Sequence, residues 1–152
     1  MTRIYTATYI SVPAEQVFTY VTTPGNWPQW HPSSLSVSSG SNHSLLPGEQ
    51  CIEEFLVAGR HGKVTWTVTE CVFPQRWVIK GIIEGRTHGG TVSYKLLPKD
   101  EGTHFEREFD YPTPGLMFML LDLLIVRRRI HAESQKAMRQ LKVILEQQTA
   151  VL

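Results

Sequence analysis

The chain has 152 residues, 41% hydrophobic and 19% charged, which suits one domain with a full core and leaves no room for a second. A formal net charge of +1 supplies no field to draw in nucleic acid or acidic lipid, so either partner would need a local patch. Arg127, Arg128 and Arg129 form the one such cluster, and three successive helical residues spread around the circumference as a solvated collar, so nucleic acid is not expected.

Arg3 to Ile10, rich in Thr, Tyr and Ile, reads as a strand that stops before Pro13. No basic flank leads into an apolar core in Met1 to Ile10, so no secretory signal is expected, and the protein is read as cytoplasmic. Pro13 opens a short helix, Ala14 to Val21, with Glu15 in the first turn where the helix dipole favours it. Asn26 to Trp30 adds one helical turn, with Trp27 and Trp30 on one side. Ser33 to Asn42 reads as a polar strand or loop.

From Gly48 onward the period is two. The spacing predicts antiparallel strands at Gln50 to Ala58, Lys63 to Phe73, Arg76 to Glu84, Thr91 to Leu97 and Thr103 to Tyr111, the first two joined through Gly59 to Gly62. Alternation places Val64, Trp66, Val68 and Val72 on a covered face and Thr65, Thr67 and Thr69 on a wet one. Trp77, Ile79, Gly81 and Ile83 continue the covered face, followed by Val92, Tyr94 and Leu96, then Phe105 and Phe109. Cys51 and Cys71 stand apart, with no Cys or His at ligand spacing. That pattern argues against a disulfide framework or a structural metal.

Pro114 to Gln148 reads as helix, capped by Thr113 with Pro114 in the first position. Ile130, Ser134, Ala137, Met138, Leu141 and Leu145 form one stripe, whereas Leu116 to Val126 is apolar all round except at Asp122. That apolar run falls short of the ~20 residues that span a bilayer, so no integral membrane segment is expected. One rod of about 35 residues would be about 52 Å long, against about 38 Å for a domain of this size. A break between Asp122 and Arg127 is therefore expected, with Asp122 capping the second piece. Carrying the stripe backward turns Leu123, Met119 or Leu120, and Leu116 toward the core. Phe118, Leu121 and Ile125 are then left outside as a contact for a homodimer or, second, a membrane surface.

Ile10-Ser-Val-Pro-Ala-Glu-Gln-Val-Phe18, Asn26-Trp-Pro-Gln-Trp30 and Gln140-Leu-Lys-Val-Ile-Leu-Glu146 resemble the polyketide cyclase/dehydrase and lipid-transport family of the START-like (SRPBCC, Bet v-like) superfamily. The resemblance spans nearly the whole chain. It implies an α+β helix-grip fold: a seven-stranded curved antiparallel sheet wrapped around a long C-terminal helix, with two short helices after the first strand. It also implies a cavity for an apolar small molecule between sheet and helix. Trp30, Trp66, Tyr94, Phe105, Arg107, Phe109, Met119 and Leu123 would be its walls; on the residues alone, they could equally fill a solid core.

Arg107 is the awkward residue, since alternation puts it on the covered face with Phe105 and Phe109. It must pair with an inward carboxylate, for which Glu53 and Glu70 are placed, snorkel outward, or serve as a handle for a ligand carboxylate or carbonyl. His61 and His88 fall in turns and His104 on the wet face, whereas His31 follows Trp30 at the cavity mouth of the resembled fold. The leading expectation is a protein that binds, sequesters or transports a lipid, polyketide or aromatic-like molecule, without metal or organic cofactor. The alternatives are a polyketide cyclase or dehydratase using Arg107 and His31 or an inward Glu, and a protein-interaction module using the apolar helix.

Overall fold

The computed structural model describes residues 1–38, 41–113 and 115–151, the final three by their backbone alone. Seven strands form one antiparallel sheet: β1 (Thr2–Ile10), β2 (Ser34–Val37), β3 (Gln50–Val57), β4 (Arg60–Val72), β5 (Arg76–Ile83), β6 (Thr91–Lys99) and β7 (Gly102–Tyr111). Their order is β1-β7-β6-β5-β4-β3-β2, a meander in which β1 returns beside the last strand. Between β1 and β2 lie α1 (Ala14–Val21) and α2 (Trp27–Trp30), which coincide with the two short helices expected from sequence. The chain ends in α3 (Leu116–Leu121), a π-helical segment (Asp122–Val126) and α4 (Arg127–Val151). This is the helix-grip arrangement.

The stripe on α4 is as expected: Ile130, Ser134, Ala137, Met138, Leu141 and Leu145 are all buried. Each large apolar member contributes about 1.5–3 kcal/mol by leaving water. At the far end of α4 the Lys142 Nζ donates to the Tyr9 carbonyl at 2.5 Å and the Ser11 N–H donates to Glu146 at 2.9 Å, which fixes the helix on β1. Beneath it Trp77 and Tyr94 stack with centroids 5.4 Å apart, and Phe105 meets Tyr94 edge-on at 5.2 Å.

Two expectations for the sheet need correcting. Val72 is 48% exposed, because a bulge between Val68 and Glu70 shifts the register by one residue and gives its inward place to Cys71. The link between β3 and β4 is also shorter than Gly59 to Gly62. Val57 pairs with Arg60 across a two-residue turn in which Ala58 and Gly59 both have positive φ, a twist that matches the strands.

The helix differs more. Thr113 is not the cap: Gly115, at φ 85°, precedes Leu116, and Pro114 lies outside the described residues. Nor is there a break. Asp122 has helical dihedrals, and the Arg127 N–H reaches back five residues to the Asp122 carbonyl. The inward residues are Phe118, Asp122, Val126 and Ile130, spaced by four, while Leu116, Met119, Leu120 and Leu123 are exposed. In an ideal α-helix a step of four overshoots a full turn by about 40°, and the wider π turn absorbs that drift. Backward extrapolation at the α-helical angle therefore reversed the face. Phe118, Leu121 and Ile125 do not form one outward patch, since Phe118 is half-buried over the cavity while Leu121 and Ile125 are exposed.

Candidate functional site: a polar-ended cavity under the helix

Between the curled sheet and the C-terminal helix lies a partly open cavity of about 380 Å³. That volume lies within the range of small-molecule pockets. Val64, Trp66, Ile79, Val92, Tyr94 and Phe109 form its floor on successive strands, and Phe118, Val126, Ile130 and Ser134 form its roof. Trp27, Trp30 and His31 close one end, and the exposed Arg60, Arg86 and His88 stand among its lining residues. Gly81 makes room for the floor: a Cβ there would come within 2.7 Å of both the Trp66 ring and a Val64 methyl. The Glu133 carboxylate ties the helix to the wall by accepting from the Ser33 hydroxyl at 2.9 Å and from the Ala58 N–H at 3.2 Å.

Arg107 faces inward as the alternation requires and is 7% exposed. It pairs across the ladder with Tyr94, donates through Nη1 to the Ser134 Oγ at 3.4 Å, and lies 5.7 Å from the Phe109 ring centre. Neither proposed carboxylate mate forms an ion pair with it. Glu70 is drawn away by the β4 bulge to Arg76 at 2.9 Å. Glu53 stays in the cavity wall and accepts from the Trp66 indole at 3.0 Å, near enough for its charge to be felt by Arg107 but without direct contact. Burial raises the Glu53 carboxyl above its ordinary range, opposed by the Ser34 hydroxyl, the Trp66 indole and the charge of Arg107.

His31 is held neutral well below the ordinary histidine range, first by burial and then by the charge of Arg107. Its Nδ1 accepts from the Ser33 N–H at 3.2 Å, so the hydrogen of the neutral ring resides on Nε2. That Nε2, the Trp30 Nε1 and the Arg107 Nε are buried and meet no hydrogen-bond partner among the described residues. All three belong to cavity-lining side chains, and the Trp30 ring centre lies 5.6 Å from His31 and 6.5 Å from Tyr94. The end wall thus holds three N–H donors without such partners, each covered by neighbouring side chains. Tyr94 and Cys51 are both pushed up to about 12 by burial, so they remain protonated and neither is a ready nucleophile.

Of the residues expected from sequence, Trp30, His31, Trp66, Tyr94, Arg107 and Phe109 come together around this space. Phe105 is fully buried behind Tyr94 as core, and Met119 and Leu123 are 51% and 65% exposed because of the helix phase. His61 and His104 lie against Glu54 and Glu106 at the surface, whereas His88 reaches the cavity lining. Sequence reasoning turned Glu53 inward as a mate for Arg107, and the structure keeps it in the wall without that pairing; it missed Ser134, although a polar residue within the buried helical stripe carried a signal. Phe118 and Val126 had no such signal, since their orientation depends on the π turn. The described residues contain no group of three or more His, Cys, Asp or Glu placed to hold a metal, and none of their helices is long and apolar enough to cross a membrane.

A curled seven-stranded sheet roofed by a long C-terminal helix, with a cavity between them, is the helix-grip architecture. The chain belongs to the polyketide cyclase/dehydrase and lipid transport family, whose model matches residues 1–146. Its fold is similar to that of the Bacillus halodurans protein BH1534, with a TM-score of 0.70 at 16% identity over 95% of this chain and 96% of that one. It is similar also to a Rhodobacter sphaeroides protein, with a TM-score of 0.68 at 22% identity over 95% and 92%. DynU16, described as a putative protein in the dynemicin biosynthetic locus, gives a TM-score of 0.67 at 16% identity over 95% of this chain and 47% of its own. No curated protein matches the sequence.

Proposed function

We propose that the protein binds and carries a hydrophobic small molecule, of lipid, polyketide or aromatic type, that bears a carbonyl or carboxylate at one end. The observation that carries this reading is the set of three buried N–H donors, unpaired among the described residues, on Trp30, His31 and Arg107, in side chains that line a cavity with a largely apolar floor. Each unsatisfied buried donor costs about 1–3 kcal/mol, which an acceptor on the ligand would offset. The apolar body of the ligand would lie along Trp66, Ile79 and Phe109 beneath Phe118 and Val126. The reading requires no metal and no organic cofactor.

Two fluorescent naphthalene probes test it, the aromatic anion anilinonaphthalene sulfonate and the neutral amine phenylnaphthylamine, titrated into wild type and Arg107→Leu. The expected result is a loss of about tenfold in affinity for the anion, or about 1.4 kcal/mol, with little change for the neutral probe. Equal losses for both probes would make Arg107 a packing residue, and failure of either to bind the wild type would remove the cavity reading. Native mass spectrometry of the purified protein should in addition show a bound small molecule that Arg107→Leu retains less well.

The placement of Glu53 favours a second reading, a cyclase or dehydratase acting on a polyketide-like substrate. Its buried carboxyl, raised by burial above its ordinary range, shares the cavity with Arg107, so Arg107 could polarise a substrate carbonyl while Glu53 transfers a proton. His31 is the poorer proton acceptor, since its Nδ1 is occupied by the Ser33 N–H. DynU16, from a biosynthetic locus, shares the fold. Turnover abolished by Glu53→Gln with probe affinity retained would separate catalysis from carriage.

A further inference from the structure

The most exposed apolar surface is the stretch that roofs the cavity. Every residue of α3 and the π-helical segment other than Phe118, Asp122 and Val126 is a large apolar side chain turned to solvent, from Leu116 at 76% and Met117 at 86% to Leu124 at 65%. With inward residues recurring every four, the step averages about 90° per residue, and these side chains sweep about 180° of arc. A protein partner seated on one side of a helix covers a stripe of roughly 100° or a little more, which would leave much of this surface wet. A lipid phase surrounds a helix instead. The charges beside it have one sign: Arg127, Arg128 and Arg129 follow directly, Arg60 lies 4.9 Å over the Phe118 ring, and Arg86 stands at the cavity. All five are exposed, and none makes an ion pair among the described residues. The helical carboxylate, Asp122, is buried under Tyr111 and Thr2, and Glu133 is engaged by Ser33 and Ala58. Glu84, in the turn that holds Arg86, is the nearby exposed carboxylate in sequence.

We infer that residues 116–125 are a docking element for an anionic phospholipid bilayer. The apolar arc enters the interface and the arginine collar rests among the phosphate headgroups, as interfacial helices with basic flanks do. Phe118 and Val126 of the same stretch line the cavity, so docking brings the cavity roof to the hydrocarbon boundary and lets an apolar ligand pass between them without crossing water. That last step rests on the ligand-carrier reading; the docking does not.

Co-sedimentation with phosphatidylcholine vesicles, with and without phosphatidylglycerol, tests the inference on the full chain. The expected result is binding to the phosphatidylglycerol vesicles that weakens with added salt, with weak binding to phosphatidylcholine alone. Replacing Arg127 and Arg128 by Gln should weaken it by about fivefold for each arginine removed. Leu120→Asp with Leu124→Asp should abolish it. Neither leucine lines the cavity, so the double variant should bind anilinonaphthalene sulfonate as wild type does, which keeps a failure of docking distinct from a failure of ligand binding. Absence of wild-type binding to phosphatidylglycerol vesicles would overturn the inference, as would binding indifferent to the two leucines. Sedimentation equilibrium adds a third such outcome: a wild-type dimer that the leucine variant dissociates, without vesicle binding, would assign the surface to a second copy of the chain.

Discussion

His31 is driven to the neutral form by burial and by the Arg107 guanidinium, both acting in the same direction. In the unfolded chain the same ring takes up a proton near its ordinary value of 6.5. As pH falls through that value the unfolded state therefore binds more protons than the folded one, and stability falls with it. The full contribution is present above this range and is lost on acidification. Glu53 acts in the opposite sense: with its carboxyl raised, the folded state binds the extra proton, and stability falls as pH rises from 4.5 through its folded value. Urea unfolding of wild type and His31→Gln between about pH 5 and 8 should show a shallower acid decline in the variant. Equal slopes would mean that His31 carries its proton in the folded state, and the donor assignment at Nε2 would fail. The placement of Arg107 was legible in sequence because β7 alternates without interruption. Its lack of an ion pair was not, because the bulge in β4 leaves no mark in residue type and takes Glu70 to Arg76.

At the scale of elements, the π turn is held by one buried carboxylate. Asp122 accepts from the Thr2 hydroxyl at 2.7 Å and from the Tyr111 hydroxyl, whose ionisation it and the surrounding burial strongly oppose. This ties the helix to the paired ends of β1 and β7, where Thr2 faces Tyr111. Asp122→Ala should cost about 1–3 kcal/mol in urea unfolding, most of it from the stranded Tyr111 hydroxyl. Adding Tyr111→Phe should then cost little more, and a strictly additive cycle would show that the two side chains are uncoupled. The reading of Asp122 as a cap used correct reasoning about residue type but assumed that a rod too long for the domain must bend. The chain keeps the rod and leaves its first turns uncovered. Strands and the α4 stripe were legible because period two and period 3.6 are written in side chains. The Ala58–Gly59 turn and the π segment are backbone events, and their residues read as ordinary strand or helix formers.

Across the whole molecule, order should grade along the C-terminal helix. Ala137 and Leu141 are fully buried and Leu145 is 4% exposed, whereas α3 contains no buried residue. Hydrogen exchange should therefore open amides at 117–126 at least about tenfold sooner than those at 137–145, at a small fraction of the global unfolding free energy. Uniform protection along the helix would contradict this. The meander from β3 to β7 was legible because short links leave consecutive strands as neighbours, whereas the return of β1 beside β7 was not written in the spacing. Which helix residues roof the cavity was not legible, and the π turn explains why. Loss of a single residue within Asp122–Val126 would restore α-helical winding and rotate α3 by about 100° about its axis, removing Phe118 from the roof while altering no wall on the sheet. Relatives that differ by one residue in length at this point would present different roofs to their ligands even if every cavity-floor side chain were identical. On the ligand-carrier reading, chain length there would set specificity as much as any cavity side chain.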